Sequence, residues 1–72
     1  MTKQLPPTPE GWILGTEAGY RHHAGFVKDA PRGNLWTLSP SDRGLWTLSL
    51  IRDNVAISTK ELTFDDAVTY AG

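Results

Sequence analysis

The chain has 72 residues, no cysteine and a formal net charge of −1, from seven Lys and Arg against eight Asp and Glu. This length predicts one small domain with a thin stability margin, because such a domain buries only about 60% of the surface of its unfolded chain. The absence of cysteine excludes disulfides and cysteine-ligated metal sites, so self-association or docking onto a partner is the expected source of additional stability. The near-neutral charge disfavours nucleic-acid binding, which usually draws on a basic excess.

Residues 1–10 are predicted to form a proline-rich N-terminal arm ahead of a single domain over residues 11–72. Pro6, Pro7 and Pro9 favour an extended, polyproline-II-like backbone. The arm is either a free tail or a segment that lies along a neighbouring subunit. In the second case the three prolines are partner-binding residues.

From Gly11 onward, short apolar segments alternate with turn signals, which is typical of an antiparallel meander. A first strand is predicted over residues 11–15. A second is predicted over residues 20–28, with a bulge at Ala24-Gly25. The segment from Ala30 to Gly33 carries proline and glycine at the positions that a type I turn favours.

An identical pentapeptide, Leu-Trp-Thr-Leu-Ser, occurs at residues 35–39 and again at residues 45–49. It predicts two strands of one hairpin with a four-residue loop over residues 41–44, which pairs Pro40 with Leu45 and Leu38 with Thr47. An Asp53-Asn54 turn then starts the last strand and pairs Leu50 with Ile57 and Leu48 with Thr59.

Alternation along these three strands divides the predicted sheet into two faces. The core face is predicted to carry Leu35, Trp46, Leu48, Leu50, Val55 and Ile57. The second face is predicted to carry Trp36, Leu38, Leu45, Ile51 and Ala56. This second face is apolar enough to need a cover, either the first hairpin or a partner.

The chain is predicted to end in a helix over residues 64–71. Thr63 is a suitable N-cap, and Asp65 and Asp66 in the first turn favour the helix dipole. The spacing predicts one buried stripe, formed by Phe64, Ala67, Val68 and Ala71. So short a helix must pack on the sheet. The expected fold is therefore mainly β: a five-stranded antiparallel meander, or a small barrel, with the helix on one face.

His22 and His23 are the only residues at which a metal site is conceivable. Adjacent residues of a strand point to opposite faces, and a catalytic zinc generally needs three protein ligands. The sequence has no nucleophile elbow, no glycine-rich phosphate loop and no paired carboxylate in an apolar setting. We therefore expect no metal, no cofactor, no small-molecule substrate and no enzymatic activity.

Three tryptophans are unusual in a domain too small to bury them easily. Trp46 falls on the predicted core face. Trp12 opens the first strand, and Trp36 lies beside Leu38 on the second face. Because aromatic residues concentrate at the centres of interfaces, Trp12, Trp36 and Leu38 are the candidate partner-binding residues of the domain.

An aromatic sheet can also stack unpaired bases, so a nucleic-acid-binding small β domain is the alternative prediction. The phosphate contacts would come from four arginines that are scattered along the chain: Arg21, Arg32, Arg43 and Arg52. Two of these, Arg32 and Arg43, fall in predicted turns, which weakens this alternative.

The chain lacks cysteine, has few lysines, and has a strand-rich body that ends in Thr63-Phe-Asp-Asp-Ala-Val68. In these respects it resembles small accessory proteins of phages of high-GC bacteria. The resemblance implies a binding or structural protein: a virion decoration or minor capsid component, or an inhibitor of a host protein. No signal-peptide core and no membrane-spanning apolar run occurs in the sequence. We therefore expect a location in the host cytoplasm or the virion, with a protein partner or a second copy of the chain.

Overall fold

Five antiparallel strands and one helix follow one another in the computed structural model, which describes residues 6–20 and 23–72. The strands are joined in a single sheet in the order β1-β2-β3-β4-β5, so β1 and β5 form its edges. The elements are β1 (Ile13–Leu14), β2 (Phe26–Ala30), β3 (Asn34–Pro40), β4 (Trp46–Arg52), β5 (Val55–Leu62) and α1 (Phe64–Ala71). The predicted meander with one C-terminal helix is thereby confirmed.

The three connections between β2 and β5 are tight turns with left-handed backbone. Between β2 and β3, Arg32 and Gly33 have φ values of 65° and 75°, and between β3 and β4, Arg43 and Gly44 have 60° and 73°. Positive φ at two successive residues is the geometry of a type I′ turn, whose twist matches that of the flanking strands. The predicted type I turn over residues 30–33 was therefore wrong, because that turn requires negative φ at Arg32.

The register of β3 against β4 differs by one residue from the predicted one. Pro40 lies opposite Trp46, and Leu38 lies opposite Leu48. The prediction, which placed Leu38 opposite Thr47, was wrong because five residues and not four separate Pro40 from its partner on β4, Trp46. A slip of one residue moves every side chain of a strand to the other face. The prediction consequently assigned the side chains of β3 to the wrong faces of the sheet.

The β4–β5 hairpin agrees with the prediction next to its turn and departs from it further on. Asp53 and Asn54 form the two-residue turn, with φ values of 51° and 64°. A bulge between Leu50 and Ile51 then shifts the register, so that Leu50 lies opposite Ser58 and not opposite Ile57. The predicted pairing of Leu48 with Thr59 was wrong for the same reason, since a bulge places one extra residue in one strand.

The first two strands are shorter than predicted. β1 contains only Ile13 and Leu14, and β2 starts after Gly25. A Cβ on Gly25 would overlap the carbonyl oxygen of Leu38, so only glycine allows the chain to pass β3 here. Close backbone approach is therefore the structural role of this glycine, in place of the predicted bulge.

The helix occupies the predicted residues, Phe64–Ala71. The Asp66 N–H donates to Thr63 Oγ1 over 3.3 Å, which confirms Thr63 as the N-cap. Ala67 and Ala71 are buried, while Phe64 and Val68 pack at the edge of the core. The predicted buried stripe is confirmed.

The core lies between α1 and one face of the sheet, which we call the covered face. Phe26 and Leu38 are completely buried there, and Leu48 is 1% exposed. Trp46 stacks on Phe26 with ring centroids 6.1 Å apart and meets Phe64 edge-to-face at 4.9 Å. Because paired residues share a face, the register assigns to the covered face Leu14, Phe26, Lys28, Trp36, Leu38, Trp46, Leu48, Leu50, Lys60 and Leu62.

No helix in the described part of the chain combines the length and the apolar character needed to cross a lipid bilayer.

Candidate partner-binding surface

The face of the sheet opposite α1, which we call the open face, is not covered by any described helix or strand. Two of its apolar side chains, Leu35 and Ile51, lie directly opposite each other on β3 and β4 and are half-buried. Ile13 at its β1 end is 49% exposed. The residues of this face are Ile13, Val27, Asp29, Leu35, Thr37, Ser39, Thr47, Ser49, Ile51, Ala56, Thr59 and Glu61.

The repeated pentapeptide explains the difference between the two faces. In both copies the tryptophan and the second leucine lie on the covered face, and the threonine and serine lie on the open face. The open face therefore has a hydroxyl-rich centre, in which Ser49 Oγ lies 3.3 Å from Thr59 Oγ1. Hydroxyl groups tolerate water, so this centre is stable without a cover while remaining able to bond to a partner.

A groove of about 280 Å³ opens where β1 ends beside β2. Its apolar lining is formed by Gly11, Ile13, Ala18, Tyr20, Val27 and Leu35. Val27 is 3% exposed, whereas the aromatic side chain of Tyr20 is 47% exposed. The groove therefore combines a buried apolar floor with an accessible aromatic group, a combination that suits an apolar side chain of another protein.

Ile13, Tyr20, Leu35 and Ile51 form a continuous surface, which we call the apolar patch. The first three line the groove, and Ile51 extends it across the sheet because it pairs with Leu35. Asp29 also lines the groove and is exposed, so a carboxylate lies at the rim of the patch. An apolar patch with a polar rim is the usual composition of a protein-binding surface.

Lys28, the other charged residue of the groove, is directed at the helix. Its Nζ donates to the carbonyl oxygen of Ala71 over 3.3 Å and lies 5.9 Å from the ring centroid of Trp12. A cation at a helix C-terminus offsets the negative end of the helix dipole. Lys28 therefore fastens α1 to β2.

Two of the candidate residues from the sequence, Trp12 and Leu38, lie in the core. Trp12 is 4% exposed and Leu38 is not exposed at all, because α1 covers the face on which they lie. Their placement on an accessible surface was wrong. For Leu38 the cause is the one-residue register error, and for Trp12 it is the turn before β1, where the Trp12 N–H donates to the carbonyl oxygen of Pro9.

Trp36 lies on the covered face near its margin and is half-buried. Its ring meets Tyr70 of α1 edge-to-face, with centroids 6.1 Å apart and an interplanar angle of 86°. Tyr70 itself is 55% exposed. Trp36 is therefore remote from the apolar patch, on the helix side of the molecule.

The described part of the N-terminal arm begins at Pro6. Pro6 and Pro9 are half-buried and Pro7 is exposed. The prediction that the arm lies along a neighbouring subunit stays a prediction.

The histidine pair lies partly outside the described residues, since His22 is one of those that are not described. His23 Nε2 lies 3.1 Å from the carbonyl oxygen of Phe26. Within residues 6–20 and 23–72, no three side chains of the His, Cys, Asp or Glu type come together in a metal-binding arrangement.

The described arginines of the nucleic-acid alternative lie at both ends of the sheet. Arg32 and Arg52 are exposed at the end of the sheet that carries the β2–β3 and β4–β5 turns. Arg43 is exposed at the opposite end, and Arg21 lies outside the described residues. The described arginines thus form no continuous track for a nucleic-acid backbone.

The residues of the apolar patch were not among the candidates from the sequence. For Leu35 and Ile51 the repeat contains a signal. Identical amphipathic pentapeptides favour the same face, and this requires an even sum of paired residue numbers, as in Leu38 with Leu48. The predicted register had an odd sum and placed the two copies on opposite faces. Tyr20 and Ile13 have no comparable signal, because the irregular segment that carries Tyr20 precedes β2.

No protein-family model, no curated protein and no solved structure matches this chain.

Proposed function

We propose that this chain is a non-enzymatic protein-binding domain whose partner docks on the apolar patch of the open face. The observation that supports it most directly is the one-sided cover of the sheet: α1 packs on one face, while Leu35 and Ile51 form an apolar pair on the other. Exposed apolar surface of this kind is costly in water, and a partner that removes it from water gains binding free energy.

The partner's contact segment has a chemistry that follows from the patch. An apolar side chain fits the groove floor at Val27, and a basic residue next to it would meet the exposed carboxylate of Asp29. Hydroxyl groups at Thr37 and Ser49 on the same face offer hydrogen bonds at the margin. This surface replaces the aromatic face that the sequence had suggested.

Two roles use such a surface, and both follow from the resemblance to phage accessory proteins. In one, the chain is an assembly component of the virion and binds a structural protein of the particle. In the other, it inhibits a host protein by occupying its surface. The stoichiometry separates them, because an assembly component co-purifies with particles and an inhibitor co-purifies with one host target.

The test compares two matched double variants of the full chain in co-purification from infected or expressing cells. Ile13→Ser with Tyr20→Ser removes an aliphatic and an aromatic side chain from the patch, where they are 49% and 47% exposed. Val55→Ser with Tyr70→Ser removes the same two kinds of side chain outside the patch, where they are 60% and 55% exposed.

We expect the first double variant to lose the bound protein and the second to retain it, with both folded by circular dichroism. Retention of the same protein by both double variants would show that the apolar patch is not the binding surface. A wild-type chain that binds no protein, but is retained on DNA in a salt-sensitive manner, would favour the nucleic-acid alternative.

A further inference from the structure

Within residues 6–20 and 23–72, no strand pairs with the outer edge of β5. β5 has eight residues, and the first seven of them are exposed. As the last strand of the described sheet, it pairs with β4 on one side, and no described strand lies on the other. The edge is therefore separate from the apolar patch, which lies on the segments up to β4.

The ladder shows which backbone groups of β5 face outward. The Ser41 N–H donates to the Leu45 carbonyl oxygen, so Leu45 directs its backbone groups at β3. Backbone groups of successive residues point to opposite sides of a strand, so Thr47 and Ser49 also bond to β3, whereas Leu48 and Leu50 bond to β5. Their partners, Lys60 and Ser58, therefore point their backbone groups at β4. The N–H and C=O groups of Thr59 and Glu61 point outward.

A row of outward N–H and C=O groups is complemented by another extended strand, because only a strand presents the same groups at the same spacing. We propose that the strand is β5 of a second copy, which pairs antiparallel with the first around a two-fold axis at Thr59. The result is one ten-stranded sheet with both helices on the same side and the two open faces side by side.

The side chains select this register. Paired residues must lie on the same face of the joined sheet, so the axis passes through one residue of β5. An axis at Lys60 or at Glu61 would place two like charges directly opposite each other, which is destabilising. An axis at Ser58 would run at once into the bulge at residue 57.

An axis at Thr59 avoids both like-charge pairs, and it leaves the central pairs over residues 58–60 clear of the bulge, which is met only where Glu61 lies opposite Ile57. Thr59 lies opposite Thr59 of the second copy, and Ser58 lies opposite Lys60 in each half. The Lys60 ammonium lies 5.3 Å from the ring centroid of Tyr70, on the helix side, so it is held away from the axis. Lys60 thus limits pairing with unrelated strands while permitting this one.

The test uses purified full-length protein and its mass by light scattering after size exclusion, over a wide concentration range. The wild-type chain is expected at twice the chain mass at high concentration. Thr59→Lys and Thr59→Glu each place two like charges at the axis, so each alone is expected at the monomer mass. An equimolar mixture of the two is expected at the dimer mass, because opposite charges then meet across the axis.

Thr59→Val is the matched control, since it removes the hydroxyl group and adds no charge, and it should remain dimeric. A wild-type monomer at every concentration overturns the proposal, and so do dimers of both charged variants or a mixture that stays monomeric. The double variant Ile13→Ser with Tyr20→Ser should keep the dimer mass. The two proposals can therefore fail independently. An intact dimer without partner binding would contradict only the proposed function, and partner binding by a monomer would contradict only this inference.

A second measurement needs no charged residue. The chain has no cysteine, so Thr59→Cys accepts a single spin label. Labels at the axis should show dipolar broadening that disappears on dilution with unlabelled protein. Labels on Thr16→Cys, beside the opposite edge of the sheet, should show none. Equal spectra at the two positions would overturn the pairing.

Discussion

The two faces of the sheet are built from the same pentapeptide and yet differ in every property that matters for binding. Leu38 on the covered face is completely buried, while Leu35, three residues earlier in the same strand, is half-buried on the open face. The side chains are identical, so hydrophobicity does not set the difference. It is set by the position of α1, which covers one face only. The burial of a side chain in this sheet therefore depends on whether another element packs on its face, and not on the type of residue.

The largest contrast is expected between two leucine truncations in β3. Leu38→Ala should lower the free energy of unfolding by about 2–5 kcal/mol, because it leaves a cavity under α1. Leu35→Ala should cost about 1 kcal/mol, since it removes a half-buried group without leaving a closed cavity. Urea unfolding measures both. Equal losses would mean that the open face is covered in solution.

A glycine at the start of β2 supports the same architecture from the backbone. Gly25→Ala is expected to cost about 3 kcal/mol, the upper end of the usual range for overpacking, because the new Cβ would overlap the Leu38 carbonyl oxygen. Gly44→Ala is the comparison, with φ of 73° but no neighbour within 4 Å, and should cost about 1 kcal/mol. Thermal unfolding of the two variants measures which one loses more stability. A larger loss for Gly44→Ala would mean that β2 and β3 are further apart at Gly25.

The N-cap of α1 adds to the stability of the cover. Thr63→Ala should lower the free energy of unfolding by about 1 kcal/mol, because the Asp66 N–H loses its acceptor. In a domain of this size that corresponds to a decrease in melting temperature of roughly 4–8 °C. Thr69→Ala, at an exposed position of the same helix, should leave the melting temperature nearly unchanged. Equal melting temperatures for the two variants would mean that the Thr63 cap does not stabilise α1 on the sheet.

The smallest effect is expected in the centre of the open face. Thr37→Val keeps the branched shape and the β-propensity of the residue, and it should change the free energy of unfolding by no more than about 0.5 kcal/mol. The same substitution should weaken capture of a partner if Thr37 bonds to it. A large loss of stability would instead indicate that this hydroxyl group has a structural role within the domain.

Prediction from the sequence succeeded where the signals are local. The helix begins and ends at the predicted residues because Thr63 caps it and Gly72 follows its last residue. The Asp53-Asn54 turn was found because both residues tolerate left-handed backbone. Arginine carries no such preference, so the left-handed turn at Arg43, which adds a residue to the β3–β4 loop, could not be predicted from residue type.

The predicted partner-binding face depended on the length of that loop, so the error in the loop also made the face wrong. One additional residue between Pro40 and Trp46 exchanged the faces of Leu35, Trp36 and Leu38, so the predicted surface became core and part of the predicted core became surface. The bulge after Leu50 changed the register of β5 in the same way. Neither feature has a strong signature in sequence, because each depends on how the backbone twists against its neighbours.

By itself, the sequence determined the meander of five strands, the helix that follows it and the absence of disulfides. These follow from turn residues, alternation and capping, all of which act within a few positions along the chain. Only the tertiary structure decided which face of the sheet is covered. The turn at Arg43 sets the register of β3 against β4, and the helix that starts at Phe64 then packs on one of the two resulting faces. The apolar patch and the open edge of β5 are what remain when one short helix covers a two-faced sheet.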